Sequence, residues 1–169
     1  MPRFQKGQKD EGSNSQNTGT NGQRQPILYL LRWQCSFSEY EAFVQKFKDD
    51  ATLNIDYKKI ILALEKIVAV GAFERFFRPE GKMNDRVAAL SIDSRKLRLY
   101  CLRISDQILI VGNGGLKSTR TYEENTELSG YVMDLQEFDK LLAEAQKEGS
   151  ITIEKNVITG IEGKVFQLS

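Results

Sequence analysis

Histidine is absent from all 169 residues. That removes the commonest general base, the usual Ser-His-Asp triads and the most frequent metal ligand in one stroke. Cysteine occurs only twice, as Cys35 and Cys101, each beside apolar residues and without CxxC spacing. Neither a disulfide framework nor a zinc knuckle is expected, and both thiols read as reduced and buried. No stretch approaches the roughly 20 apolar residues of a membrane span, and the opening MPRFQKGQKDEGSNSQNTGTNGQRQ has no apolar h-region. The expectation is a cytoplasmic protein with no membrane partner, no cofactor and no metal.

Charge of one sign is also scarce. A net charge of +1 offers no global case for nucleic acid, and no DNA partner is specifically indicated. The total conceals two opposite regions. From Arg75 to Arg120 ten Lys/Arg face four Asp/Glu, whereas from Thr121 to Glu148 two lysines face eight acids.

What is present fits one α+β domain over residues 26–169, preceded by a polar tail, 1–25, that cannot repay the entropy of ordering. After Pro26 the run Ile27-Leu28-Tyr29-Leu30-Leu31 reads as a buried strand, with Trp33 close behind. Ser36-Phe37-Ser38-Glu39 has capping-box spacing, and Phe37, Tyr40, Phe43, Val44 and Phe47 follow on one helical face. A second helix is predicted from Asp56 as cap to Gly71, and Phe73 to Lys82 reads as a packed loop.

Three strands are predicted next: Val87–Ile92, Leu97–Ile104 and Ile108–Val111, the last two forming an antiparallel hairpin. Leu97, Leu99, Cys101 and Arg103 share one face of the middle strand, and Arg98, Tyr100, Leu102 and Ile104 the other. Gly112-Asn113-Gly114-Gly115 reads as a turn. Thr121-Tyr122-Glu123-Glu124 predicts a helix running towards Gly149, with a break allowed near Gly130 and a restart at Asp134. Short strands at Ile151–Ile153, Val157–Ile158 and Val165–Leu168 complete the chain.

Two features could carry chemistry. VGNGGLKST ends like a phosphate loop, but Leu116 and Val111 stand where that motif needs glycine, so nucleotide hydrolysis is excluded by spacing. What stays open is a plain turn or a backbone-amide and lysine anion site. The other feature is the set Arg98, Tyr100, Arg103, Lys117, Arg120 and Tyr122, joined by Arg78 upstream. Either these residues reach a sheet edge or pair with the acidic last helix, or they face an RNA phosphate. In the second case Arg and Lys stabilise developing charge, a tyrosine stacks on a base, and a Lys or Tyr takes the proton of a ribose 2′-hydroxyl. The carboxylates Glu123 and Glu124 read only as complements to a helix dipole.

The order strand, two helices, three antiparallel strands with a central Arg-x-Tyr, then a glycine turn and a lysine, within KLRLYCLRISDQILIVGNGGLKSTRTYEEN, resembles the RelE/HigB/ParE superfamily of small bacterial toxins. The likeness spans Ile27 to Leu142. It implies a small antiparallel sheet with two N-terminal helices and a C-terminal helix packed on it. It also implies a ribosome-associated mRNA endonuclease of a toxin-antitoxin module, neutralised by an antitoxin protein. The matching catalytic positions would be Arg98, Tyr100, Lys117 and Arg120, with Arg103, Tyr122 and Arg78 contacting RNA. The alternative is a non-catalytic protein- or RNA-binding module on the same fold.

Overall fold

The computed structural model describes residues 3–6, 27–32, 38–80, 85–93, 96–119, 121–162, 164 and 166. Its elements are β1 (Arg3–Lys6), β2 (Ile27–Arg32), α1 (Glu39–Phe47), α2 (Asn54–Val70), a single 3-10 turn (Glu74–Phe76), β3 (Phe77–Pro79), β4 (Val87–Leu90), β5 (Leu97–Ser105), β6 (Ile108–Leu116), α3 (Thr126–Lys147), β7 (Thr152–Ile153) and β8 (Ile158–Thr159). β1 to β6 form one sheet in the order β1-β2-β6-β5-β4-β3, and β7 and β8 form a separate hairpin. The class is α+β. The strands β4 to β6 make the expected three-stranded antiparallel unit, and the sheet is wider than expected because β3 adds antiparallel to β4, β2 adds in parallel to β6 and β1 adds antiparallel to β2.

The alternation of β5 explains the layering. Leu97, Leu99 and Cys101 join Phe43, Phe47, Ile60, Leu64 and Ile67 in a core under α1 and α2. Tyr100 and Leu102 join Leu128, Val132, Leu135, Phe138 and Leu142 in a core under α3. Helices therefore cover both faces, and β5 lies inside, as its two apolar faces require. Each fully buried Leu, Ile or Phe contributes about 1.5–3 kcal/mol of transfer free energy. Cys101 is fully buried, and burial pushes its thiol far up from the ordinary range.

The glycine segment is not a turn. Gly112 to Gly115 lie inside β6, which continues to Leu116. The pairs Leu99↔Gly114 and Cys101↔Val111 leave Tyr100 alone opposite Gly112 and Asn113, so β6 carries a bulge there. The extra residue resets the alternation, and Gly112 and Gly115 both turn towards α3. A Cβ would stand 3.0 Å from Leu135 at Gly112 and 3.1 Å from Leu128 at Gly115. At Gly114 it would stand 2.0 Å from the Arg98 carbonyl oxygen. Glycine here serves close approach, both of helix to strand and of strand to strand. The β5–β6 hairpin itself turns at Asp106–Gln107, where the spacing of the two strands predicts it.

The helix starts also move. The box of α1 uses Ser38 and Glu41, two residues after the expected pair: Ser38 Oγ accepts from the Glu41 amide at 3.1 Å, and Glu41 Oε2 accepts from the Ser38 amide at 2.6 Å. α2 begins before Asp56, which sits in its first turn, and Leu53 precedes it without a side-chain cap. Gly71 ends it as expected, at φ 116°. Asn125, not Thr121, caps α3 by accepting from the Leu128 amide, and α3 passes through Gly130 unbroken because its apolar stripe is continuous. Phe73 to Pro79, expected as a loop, contains the 3-10 turn and β3.

Residues 3–6 of the expected tail pair with β2, so that much of it is ordered. Trp33, Cys35, Ser36, Phe37 and Val165 lie outside the described residues, as do residues 167–169. At the C-terminal end the expected strands shorten to β7 and β8, whose Ile158 lies with Ile151, Ile161 and Phe166 in the α3-side core. No described helix is long and apolar enough to cross a membrane.

Candidate functional site

Above the α3 face, where β3 ends and the chain enters α3, lies a cleft of about 510 Å³. It is lined by Arg78, Pro79, Glu80, Arg98, Lys117, Thr121, Tyr122 and Glu123. Each element delivers its residue for a local reason. β3 is the outermost strand, and the Glu80 amide continues its ladder by bonding the Val87 carbonyl at 3.3 Å. Arg98 pairs in register with Gly115, and the Lys117 amide bonds the Lys96 carbonyl at 2.7 Å, which brings the end of β6 to the start of β5. Ala89 stands between Tyr100 and Arg78 in register, and its methyl leaves room for long side chains to meet above β4.

Electrostatically, one carboxylate serves two guanidiniums. Arg78 donates to Glu80 Oε1 through Nη2 at 2.9 Å and through Nε at 3.3 Å. Arg98 Nη1 lies 3.8 Å from Glu80 Oε2, and the two side chains are 6% and 10% exposed. A buried Arg–Glu pair holds its geometry because breaking either side leaves a charge without compensation. With Lys117 and Glu123, the lining carries three cations against two carboxylates. Such a site favours an anion with several acceptor oxygens.

Four of the residues singled out in the sequence, Arg78, Arg98, Lys117 and Tyr122, thus meet at one cleft. Tyr100 does not line it. Its ring is fully buried, and burial raises the hydroxyl's pKa while the neighbouring Arg98 partly opposes the rise. A direct proton transfer to substrate through Tyr100 is unsuited to that position. Tyr122 is half-buried, and its hydroxyl is also raised, first by burial and then by Glu123, Asp85 and Glu80. Arg103 sits towards the far end of β5, donating from Nε to the Ala72 carbonyl at 2.6 Å and pairing with Asp106. It fastens the exit of α2 and takes no part in the cleft. Arg120 lies outside the described residues.

Glu80 was not singled out by sequence, and Thr121 and Glu123 were read only as the start of a helix and a complement to its dipole, whereas α3 begins later, at Thr126. A signal existed for Glu80: an arginine within an apolar strand needs a carboxylate, and the basic region holds only Glu80, Asp85, Asp93 and Asp106. The acidic last helix is engaged elsewhere, Asp139 with Arg86 and Glu127 with Lys46. Among the described residues no group of three or more Cys, Asp or Glu could hold a metal ion. No family model, no curated protein and no solved structure matches the chain.

Proposed function

We propose that this protein binds RNA by taking a backbone phosphate into the cleft between β3, the end of β6 and the entry to α3. The observation that carries the reading is the sharing of Glu80 by Arg78 and Arg98 beside Lys117. Arg78 and Arg98, both held against Glu80, concentrate positive charge at one end of the cleft, and Lys117 adds an exposed point charge. Tyr122 gives the rim a ring suited to a base or ribose. Lys117→Ala, at an exposed position, should weaken binding of a short single-stranded RNA and reduce its salt slope by about 1, as read by fluorescence anisotropy between 50 and 200 mM salt. Salt-insensitive binding, or an unchanged slope in the variant, would sink the proposal.

The toxin reading places the same cleft on ribosome-bound mRNA, with an antitoxin as the neutralising partner. It is supported by an exposed carboxylate, Glu123, on a lining whose cations can stabilise a pentavalent phosphate. In that case the 2′-hydroxyl proton passes to the carboxylate as the hydroxyl oxygen attacks phosphorus, and the 5′-oxygen leaves with a proton from the Lys117 ammonium, giving a 2′,3′-cyclic phosphate and a 5′-hydroxyl end. Growth arrest on expression and cyclic-phosphate ends on recovered mRNA are the expected outcomes. RNA bound but intact after long incubation leaves the binding module as the function.

A further inference from the structure

A second group of basic and aromatic side chains stands at the other end of β3. The Arg75 guanidinium carbon lies 4.8 Å from the centroid of the Phe73 ring and 4.9 Å from that of Phe76. Lys66 from α2 places its Nζ 5.6 Å from the Phe76 ring. Arg75 is exposed, and both rings are half-buried. The support is rigid: Gly71 turns the chain out of α2, the Ala72 amide bonds the Asp106 carbonyl at 2.7 Å, and Arg103 holds the Ala72 carbonyl. Arg75, exposed and fixed over the two rings, offers a planar guanidinium and its positive charge together.

The position matters as much as the chemistry. Three residues separate Arg75 from Arg78, a reach of about 10 Å along an extended chain. Between them runs β3, whose outer edge pairs with no other strand among the described residues and whose Arg78 and Pro79 are exposed. Phe76 packs on the α2 side of the sheet, while the cleft opens on the α3 side. A flexible polymer seated in the cleft can round this edge and reach the rings.

We infer that Phe73, Arg75 and Phe76 form a base-stacking platform for a single-stranded RNA whose phosphate occupies the Arg78/Arg98/Lys117 cleft. The inference rests on the cleft reading and extends it, since it fixes the ligand as unpaired RNA several nucleotides long. A purely charged partner would gain from the lysine and arginines but not from the rings. Stacking on one ring is worth about 1–3 kcal/mol per base, so lengthening the ligand from two to six nucleotides should tighten binding about tenfold or more.

The test compares a dinucleotide, a hexanucleotide and an abasic hexamer by anisotropy on the full chain. The wild type should show the gain for the hexanucleotide and lose most of it for the abasic form. Phe76→Leu keeps an apolar side chain in the half-buried site, and Arg75→Met keeps the stem; in both, the hexamer-to-dinucleotide ratio should fall towards one. An unchanged ratio in both variants overturns the platform while leaving the cleft intact. Absence of any dinucleotide or hexanucleotide binding overturns the cleft and the platform together. Equal binding of the abasic hexamer, or equal competition by an acidic hexapeptide, identifies a charge-only surface and also overturns it.

Discussion

Replacing Gly114 by alanine should damage both the sheet and the cleft, whereas the same change at Gly130 should stabilise the protein. At Gly114 the added Cβ would lie 2.0 Å from the Arg98 carbonyl oxygen and 2.9 Å from the Leu99 Cα. Those obstacles are backbone and cannot rotate away, so β5 and β6 must part beside the bulge. Overpacking of this kind costs typically 1–3 kcal/mol, and a backbone clash belongs at the upper end, about 3 kcal/mol. For a chain of this size that corresponds to a fall in Tm of about 6–12 °C. At Gly130 nothing lies within 4 Å of an added Cβ, and the residue sits in the interior of α3. Alanine there should add about 1 kcal/mol by restricting the unfolded chain and improving helix propensity. Urea titrations followed by circular dichroism give both values if the slope m is unchanged. A Gly114 variant within about 0.5 kcal/mol of wild-type stability, or a Gly130 variant less stable than wild type, would rule out the backbone clash and the helix-propensity gain respectively. Because Arg98 carries the affected carbonyl, the Gly114 variant should also bind RNA more weakly even where it remains folded.

Asp134 offers a pH test: burial, then Glu39 and Glu137, push its carboxyl up from 3.8 to about 6. The folded state then holds more protons than the unfolded state between those values, so this group's contribution falls as pH rises through them and is constant above. Asp134→Asn should flatten that part of the stability profile in urea melts from pH 3.5 to 7, and an unaltered profile would remove Asp134 as the cause. Ser38→Ala removes the acceptor for the Glu41 amide and should cost about 1 kcal/mol, with Ser38→Asn retaining most of it, as read from denaturant midpoints.

Much of the helical architecture was legible because local periodicity carries it. The stripes of α2 and α3 and the two-faced β5 follow from the spacing of apolar side chains, and their burial agrees with that pattern. Boundaries were less legible. Ser36 and Ser38 both precede a helix and both have a hydroxyl, and only the packing of Phe43 and Phe47 fixes which turn begins it. Thr121 and Asn125 posed the same ambiguity at α3, where the start is set by Leu128 meeting the sheet. Within the site, the residue types Arg98, Lys117, Tyr122 and Arg78 could be picked out by charge and by their place near a strand end. Their separation from Arg103 was implicit in the same pattern, because alternation puts Arg103 on the opposite face of β5 from Arg98 and five residues of strand carry it about 17 Å away.

By itself the sequence determined what chemistry is available: without histidine, an acid–base role was read onto lysine or tyrosine, and anion binding onto arginine and lysine. It also determined that β5 would be covered on both faces, since its alternate residues are apolar in both registers. Tertiary structure alone decided that the glycines belong to a strand. Three glycines in four residues satisfy a turn and a closely covered bulged strand equally well, and the choice depends on Leu128, Leu135 and the Arg98 carbonyl arriving from elsewhere in the chain. It alone decided that Glu80, 18 residues before Arg98, would be the carboxylate on which two arginines meet. Pairing of that kind is a property of strand order and of a small residue, Ala89, lying in register between Arg78 and Tyr100. No local pattern encodes it.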